Sequence, residues 1–466
     1  MHLHTPYKTI VLAFTAVCIS ACSSGVIPDL TRLYRTAELP DRSQQSKINN
    51  VQPPVILIHG AFGSRLNDKE TGEEYWPGSL WNILFSDYEN IAVPIDANTL
   101  MPKKSTLAVT GVTDRVAGKD YYGAIIDTLE QVGGYELATP GTKQTSANRK
   151  YYLFVYDWRE DNVQTARKLD TLIEQIRKDY GSQKMKVDIV AHSMGGLITR
   201  YYLRYGSADV LNDNDFEVNG YGFKRVNKVI LLGTPNLGSV SALLEVLQGL
   251  KVGLNRIPSQ VMLTWPSTYQ LFPHPIRSSM ITLEGKKLDR DIFDIKIWKD
   301  FEWSIFNPDL RQSIIDEKGE EYYNLLVDYF AIQIERGRRF VWSLSVPTPE
   351  SPVRHIVFGG DCELTPARLL VEDVGTESIV RLFPNQIENP IADIDYEHLM
   401  LEPGDGRVTK PSLFARDALD PTMPRHRYSH FPLDYAMMLC ETHDTLTGNI
   451  HFQDNLLNIL LTNEQQ

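Results

Sequence analysis

Cysteine is scarce in this sequence, with 4 among 466 residues, so the chain is not a small scaffold held by a dense disulfide framework. A long basic run is also absent, and 59 acidic residues outnumber 47 basic ones. The resulting charge of −12 argues against a nucleic-acid partner and against broad adhesion to anionic lipid. Beyond the first residues no apolar run of about 18 residues occurs, so we expect no transmembrane span.

The composition is otherwise that of an ordinary globular protein. Hydrophobic residues make up 42% of the chain and charged residues 23%, which excludes a mainly disordered protein. A length of 466 residues exceeds what one compact core usually holds and falls short of what three domains require.

The amino-terminal residues carry the pattern of an export signal. Lys8 precedes an apolar stretch, residues 9–19, which is too short to span a bilayer comfortably and ends in small residues. The tetrapeptide ISAC at 19–22 resembles the lipobox of bacterial lipoproteins, which implies cleavage before Cys22 and acylation of that cysteine. We therefore expect an exported lipoprotein held in a membrane by Cys22, with the outer membrane favoured. The alternative is an ordinary cleaved signal with an incidental cysteine.

Short apolar runs bounded by turn residues predict buried strands, which are 55–58, 151–156, 187–191, 229–232, 355–358 and, more weakly, 436–439. Helical periodicity at 124–132 and 166–176 lies between them. Strands that alternate with helices predict an α/β fold, a mostly parallel sheet with helices on both faces. The alternation stops between about 240 and 350, a segment rich in Trp, Phe, Leu and Pro that we interpret as an inserted cap.

These observations divide the chain into consecutive segments. They are a lipoprotein signal peptide at 1–21, a flexible tether at 22–50, the first part of the core at 51–239, a cap or lid at 240–350, and the second part of the core at 351–466.

The pentapeptide AHSMG at 191–195 is the sharpest chemical signal. It joins a predicted buried strand to a helical stretch, which is the context that a nucleophile elbow requires. Such a turn raises the Ser193 hydroxyl above the sheet, and the following helix directs amide groups at the site. We therefore predict that Ser193 is a catalytic nucleophile. An ordinary serine in a strand–helix turn is the alternative.

A serine nucleophile needs a histidine base, and the base needs an orienting acid. In chain order the acid follows the serine, and the histidine follows the acid. Asp405, between two glycines, is the preferred acid, and Asp361, directly after a strand, is its rival. His443 lies between the last predicted strand and the last helix and is the preferred base, with His430 as the second choice.

The oxyanion hole requires two backbone N–H groups that face the developing charge. We predict the N–H of Met194 and that of Ala61, which lies in the loop after the first strand, with Phe62 as the alternative to Ala61. The sequence offers no motif for a cofactor or a metal, and we expect neither.

Cys362 and Cys440 each follow a late predicted strand. Neighbouring strand ends can bring two Cα atoms within the range that a disulfide needs, and an exported protein meets oxidising conditions. We predict a disulfide beside the active site, with two buried free thiols as the alternative.

Together these motifs resemble the lecithin:cholesterol acyltransferase family of the α/β-hydrolase superfamily. The matching segments are 55–65, 156–159, 191–196, 232–239, 266–273 and 404–408. The resemblance implies an α/β-hydrolase fold with a cap, and acyl-ester chemistry on lipid by hydrolysis or transfer. It also implies Ser193 as nucleophile, Asp405 as acid and His443 as base.

Some residues depart from the pattern of the animal members of the family. His59 replaces a common Pro, Arg407 stands where a Thr is usual, and their first disulfide near the lid has no counterpart. Cholesterol specificity is therefore not carried over. The Asp-Trp-Arg at 157–159 is compatible with lining an acyl pocket or with supporting the strand end through an Asp–Arg pair, and we favour the structural role. The apolar stretch 243–254 is interpreted either as a membrane-touching lid or as a helix buried under the cap.

The sequence thus favours a serine-dependent acyl-ester hydrolase or O-acyltransferase whose partner is a lipid ester. Two other classes remain open: an esterase or depolymerase for soluble esters, and a non-catalytic binding lipoprotein with the same fold.

Overall fold

A computed structural model describes residues 52–79, 86–116, 118–144, 148–375, 377–416, 419 and 431–462. The predicted signal peptide, Cys22, most of the residues between Cys22 and the fold, and His430 lie outside the described residues.

The central sheet has seven strands, all parallel to their neighbours, in the order β7-β6-β5-β4-β1-β3-β2. Their bounds are β1 Val55–Ile58, β2 Tyr135–Leu137, β3 Arg149–Phe154, β4 Val187–His192, β5 Val226–Leu232, β6 Arg354–Gly360 and β7 Tyr435–Leu439. Every predicted strand is present. Strand β2 was not predicted, because its three residues at the sheet edge carry no apolar run.

Helices cover both faces of this sheet. Their bounds are α1 Gly123–Asp127, α2 Asn162–Asp179, α3 Met194–Tyr205, α4 Val240–Gln248, α5 Ser259–Met262, α6 Pro266–Tyr269, α7 Ile295–Asp300, α8 Pro308–Lys318, α9 Glu320–Ser343, α10 Tyr396–Met400, α11 Lys410–Leu413 and α12 Ile450–Leu461. The predicted helix at 124–132 is α1 followed by a π-helical turn, Thr128–Val132.

Strand β1 shows how the two faces are filled. Successive side chains of a strand point to opposite faces. Val55 and Leu57 therefore pack with α1 and α12, whereas Ile56 and Ile58 pack with α2 and α3. Burial on both sides explains the uninterrupted apolar run of this strand, and the predicted mostly parallel α/β sheet is confirmed.

The predicted cap segment contains α4 to α9, and its buried residues join the same apolar core as α2 and α3.

Smaller strands border the sheet. Ser64–Asp68 pairs with Glu74–Trp76 and with Leu107–Val112. Three two-stranded pairs are Arg115–Val116 with Lys119–Asp120, Leu250–Val252 with Asn255–Ile257, and Glu363–Pro366 with Leu401–Gly404. Leu369–Val374 lies between Met280–Thr282 and Glu377–Arg381 and pairs with both. Among the described residues, no helix is both long enough and apolar enough to cross a bilayer.

A disulfide joins Cys362 to Cys440, whose Cα atoms are 5.1 Å apart. The two cysteines follow β6 and β7, which are parallel neighbours in which Gly360 is paired with Leu439. The bond therefore ties the two strand ends beside which His443 lies.

We expect the disulfide to stabilise the fold, because it closes a loop with a sequence separation of 78 residues. Chain entropy sets an upper value of about 4.5 kcal/mol for such a loop. Replacing both cysteines by alanine is expected to lower the melting temperature, and calorimetry measures the change. Dithiothreitol should lower the melting temperature of the wild type and leave that of the double variant unchanged. Equal sensitivity of the two proteins to the reductant would contradict the assignment.

Candidate active site

Ser193 occupies the sharp turn between β4 and α3, with φ 52° and ψ −124°. A non-glycine residue rarely adopts positive φ, and here the strand-to-helix turn imposes it. Two glycines allow the surrounding backbone to approach. A Cβ on Gly60 would lie 2.7 Å from Cβ of Ser193, and one on Gly195 would lie 2.6 Å from the carbonyl oxygen of His59. The loop after β1 therefore packs directly against the serine.

His443 contacts both other members of the predicted triad. Its Nε2 is 2.9 Å from Oγ of Ser193, and its Nδ1 is 2.8 Å from Oδ2 of Asp405. The backbone N–H of His443 also donates to the carbonyl oxygen of Asp405, at 2.8 Å. These bonds place a proton on Nδ1 and leave Nε2 to accept the serine proton. The structure thus brings Ser193, His443 and Asp405 into one hydrogen-bonded chain.

The carboxylate of Asp405 is buried but well supplied with donors. Its Oδ1 accepts the N–H groups of Arg407 at 3.0 Å and Val408 at 2.7 Å. Burial alone would raise the pKa of this carboxyl, but the charge and hydrogen bond of His443, together with these two amides, hold it below its usual value. Asp405 is therefore ionised at neutral pH and can stabilise a positive charge on His443.

The loop that carries Asp405 (the acid loop) and the loop that carries His443 (the base loop) meet at the end of β6. A Cβ on Gly360 would lie 2.2 Å from the carbonyl oxygen of Glu441 and 2.8 Å from Cβ of Asp405. The rival acid, Asp361, is the next residue, but its carboxylate is ion-paired with Nζ of Lys410 at 2.8 Å. In the described part of the chain, His443 bonds to the carboxylate of Asp405 and makes no hydrogen bond to that of Asp361.

The predicted oxyanion donors lie on either side of Ser193. Met194 is the first residue of α3, and Ala61 follows Gly60 in the loop after β1. In the described part of the chain, the N–H groups of Met194, Ala61 and Phe62 donate no hydrogen bond, so they are free to serve an incoming oxygen. The N–H of Gly60 is already used, because it donates to Oη of Tyr122 at 2.8 Å.

His59 has a structural place in this loop. Its Nδ1–H donates to the carbonyl oxygen of Gly60 at 2.8 Å, and its Nε2 accepts from the N–H of Tyr156 at 3.3 Å. The ring stacks on Tyr156 with centroids 4.1 Å apart. Burial lowers the pKa of His59 to about 4, so this histidine is neutral.

The Asp-Trp-Arg segment packs against the loop after β1, as expected for a structural role. Arg159 is fully buried and pairs with Asp157 through two bonds of 2.6 and 2.9 Å. Trp158 packs against Phe62 with centroids 4.5 Å apart and against Trp265 of the cap at 5.0 Å. This aromatic contact couples the loop after β1 to the predicted cap segment.

A chain of charged side chains lies over the triad and was missed by the sequence analysis. Arg407 pairs with Glu245 of α4 and approaches Asp444 with Nε at 3.6 Å from Oδ1. Lys119 pairs with the same aspartate at 2.9 Å. Burial opposes ionisation of Asp444, but the charges of Arg407 and His443 and the bond from Lys119 lower its pKa to about 2. No sequence motif marks these contacts, since they join four distant segments.

A groove of about 500 Å³ opens beside the triad. Its lining residues are Ser241, Leu244, Glu245, Gln248, Gly249, Leu250, Lys251, Arg256, Glu363, Pro366, Phe383, Asp405, Gly406, Arg407, Thr442, His443 and Asp444. Of the two interpretations of the stretch 243–254, the structure favours the buried helix. Leu243 and Val246 are fully buried in α4, and among the large apolar side chains of this stretch only Leu254, between the two strands of the following hairpin, is exposed, at 80%.

No cluster of three or more carboxylate, histidine or cysteine side chains that could hold a metal is found in the described ranges. The residues that line the site are suited instead to proton transfer and to nucleophilic attack.

Comparison with known proteins adds sequence and structural relatives. The family model "Lecithin:cholesterol acyltransferase" matches residues 113–309. An uncharacterized protein of Saccharomyces cerevisiae, YJR098C, is 24% identical over 280 residues, which are 58% of this chain and 37% of that protein. The chain therefore spans well under two thirds of that relative.

Among solved structures, the Tle4–Tli4 complex shows the likeness in fold. The Tle4–Tli4 complex superposes with a TM-score of 0.52 at 15% identity, covering 88% of this chain and 98% of the other. EstA from Clostridium botulinum matches with a TM-score of 0.37 at 13% identity, covering 91% and 90%. The predicted resemblance to the lecithin:cholesterol acyltransferase family is confirmed over residues 113–309, and the parallel sheet and the structural likeness give the chain an α/β-hydrolase fold.

Proposed function

We propose that the protein is a serine-dependent acyl-ester hydrolase or O-acyltransferase that acts on lipid esters through an acyl-enzyme intermediate. The observation that carries this proposal is the hydrogen-bonded chain from Oγ of Ser193 through His443 to Asp405. A serine hydroxyl is a weak nucleophile, and a base within hydrogen-bond distance activates it.

In the first half of the reaction, Oγ of Ser193 attacks the carbonyl carbon of the ester while Nε2 of His443 takes the hydroxyl proton. The carbonyl oxygen becomes an oxyanion, which the N–H groups of Met194 and Ala61 stabilise. Collapse of this intermediate breaks the ester bond, and His443 returns its proton to the departing alcohol oxygen. The acyl group remains on Ser193 as an ester.

In the second half, water or an alcohol attacks the acyl-enzyme, and His443 again takes and returns the proton. Asp405 stays ionised throughout and stabilises the imidazolium. Attack by water releases a fatty acid, and attack by an alcohol yields a new ester.

Lipid as the substrate class is supported by the family match and by the apolar side chains that border the groove. Leu244, Leu250 and Phe383 line the groove together with His443. Comparing turnover of phospholipid micelles with that of short soluble esters separates this proposal from a soluble-ester hydrolase. Product analysis with and without added alcohol identifies the acyl acceptor.

We further propose that Cys22 is acylated and anchors the exported protein in a membrane, the outer membrane being favoured. The support is the lipobox-like tetrapeptide that precedes the cysteine.

The first prediction concerns the nucleophile. Ser193→Ala is expected to lower turnover at least about 10³-fold and to abolish labelling by a fluorophosphonate, because no other atom replaces Oγ. Ser207→Ala, at the end of the same helix region, is the control and should behave as the wild type. Activity of Ser193→Ala within tenfold of wild type would exclude the acyl-enzyme mechanism, and an unlabelled wild type would favour a binding protein.

A second prediction separates the two candidate acids. Asp405→Asn should lower kcat by up to about 10⁴-fold with little change in KM, because the imidazole loses its tautomer and the imidazolium its partner. Asp361→Asn removes only a partly exposed ion pair with Lys410 and should keep most of the activity. Steady-state kinetics of both variants decide the matter, and a larger loss in Asp361→Asn would reverse the assignment.

The membrane anchor is tested by Cys22→Ser in the full chain. We expect the variant to lose acyl labelling and to leave the membrane fraction, because the lipid chains supply the anchoring free energy. Metabolic labelling with a fatty acid and sedimentation of membranes measure both effects. Unlabelled wild-type protein would rule the anchor out.

A further inference from the structure

Tyr122 and His192 connect the two loops on either side of Ser193. Oη of Tyr122 accepts the N–H of Gly60 at 2.8 Å and lies 2.8 Å from Nδ1 of His192. Since the phenol has one proton and its oxygen already accepts from Gly60, it donates that proton to Nδ1. The imidazole proton of His192 is then on Nε2, which lies 3.3 Å from the carbonyl oxygen of His443. A continuous chain of hydrogen bonds thus runs from the oxyanion loop to the base loop.

Neither side chain has the geometry of a proton carrier for the ester. Both nitrogens of His192 are occupied, one by Tyr122 and one by the main chain of His443. Burial, and after it the charge of His443, lower the pKa of His192 to about 3. A neutral ring in this place avoids a like charge beside His443, whose ring centroid is 4.9 Å away, when His443 becomes protonated.

We propose that Tyr122 and His192 are positioning residues for the acyl-transfer reaction, an inference that rests on the proposed function. Tyr122 holds the peptide between His59 and Gly60, so that the next amide, that of Ala61, faces the developing oxyanion. His192 holds the main chain of His443, so that Nε2 stays within reach of Ser193. A displacement of about 1 Å at such a site is enough to cost on the order of 10²-fold in rate.

The contact pattern explains why this role requires hydrogen bonding and not only bulk. Tyr122 is 3% exposed and lies at the N-terminal end of α1, where its ring packs in the core with Ile125. A phenylalanine would keep that packing and would leave the N–H of Gly60 and Nδ1 of His192 without partners. The loop after β1 would then lose the bond that orients it toward Ser193.

The decisive variant is therefore Tyr122→Phe in the full chain. We expect kcat on a soluble ester, and the second-order rate of fluorophosphonate labelling, to fall about 10-fold to 100-fold. KM should change less than about threefold, because the acyl and alcohol contacts remain. Tyr205→Phe is the matched control: it removes buried hydrogen bonds to the carbonyl oxygens of Ser343 and Phe216 and should keep wild-type rates.

Variants at His192 keep the inference testable if Tyr122→Phe unfolds. A glutamine amide carries one acceptor and one donor, as neutral imidazole does, whereas phenylalanine carries neither. We expect His192→Gln to retain most of the activity and His192→Phe to lose about as much as Tyr122→Phe. Both single variants break the bond between Oη of Tyr122 and Nδ1 of His192, so the double variant Tyr122→Phe/His192→Phe should lose less activity than the product of the two single losses.

Three results would overturn the inference. They are rates of Tyr122→Phe within twofold of wild type, equal activity of His192→Phe and His192→Gln, and losses that multiply in the double variant. A wild type that the probe does not label at Ser193 would instead overturn the proposed function.

Discussion

The parallel direction of the strands is the constraint on which the site depends. When neighbouring strands run the same way, their carboxyl ends lie along one edge of the sheet, and the loops that follow them meet there. Ser193 follows β4, His443 comes after β7, and the loop after β1 contributes Gly60 and Ala61. The loop after β1 and Ser193 follow two strands that pair directly, and His443 follows β7 at the end of the series β4, β5, β6 and β7, in which each strand pairs with the next.

Asp405 reaches this edge by a less direct path. After β6 the chain continues through residues 363–404 and then returns to the end of β6. Asp405 therefore lies close to the position that an acid directly after β6 would occupy. Gly360 makes the return possible, because any side chain there would overlap the acid loop and the carbonyl of Glu441. The disulfide between Cys362 and Cys440 ties the same corner covalently.

Burying a carboxylate beside a histidine is unfavourable unless both are fully hydrogen-bonded. Asp405 meets this requirement with His443 and two backbone amides. The surrounding charges continue the pattern, since Arg407 and Asp444 each flank a triad residue and are paired with each other and with neighbouring segments. The cap is linked to the site in two ways: Glu245 of α4 joins this charged chain, and Trp265 packs on the aromatic residues beneath the oxyanion loop.

Local sequence pattern alone was sufficient to predict part of the fold and part of the site. Apolar runs between turn residues predicted the buried strands. The order of a strand, a small residue, the serine, a glycine and a helix predicted the elbow at Ser193. Both predictions were possible because these features depend on neighbours in sequence. Several features depended on tertiary structure. The flanking glycines favoured Asp405 over its rival Asp361, but only the packing at Gly360 places Asp405 on His443 and leaves Asp361 on Lys410. Whether 243–254 is a lid or a buried helix was likewise undecided, because apolar side chains serve both. Tyr122 and Asp444 had no signal, since a buried hydrogen bond or ion pair between distant segments leaves no periodicity or spacing in the chain.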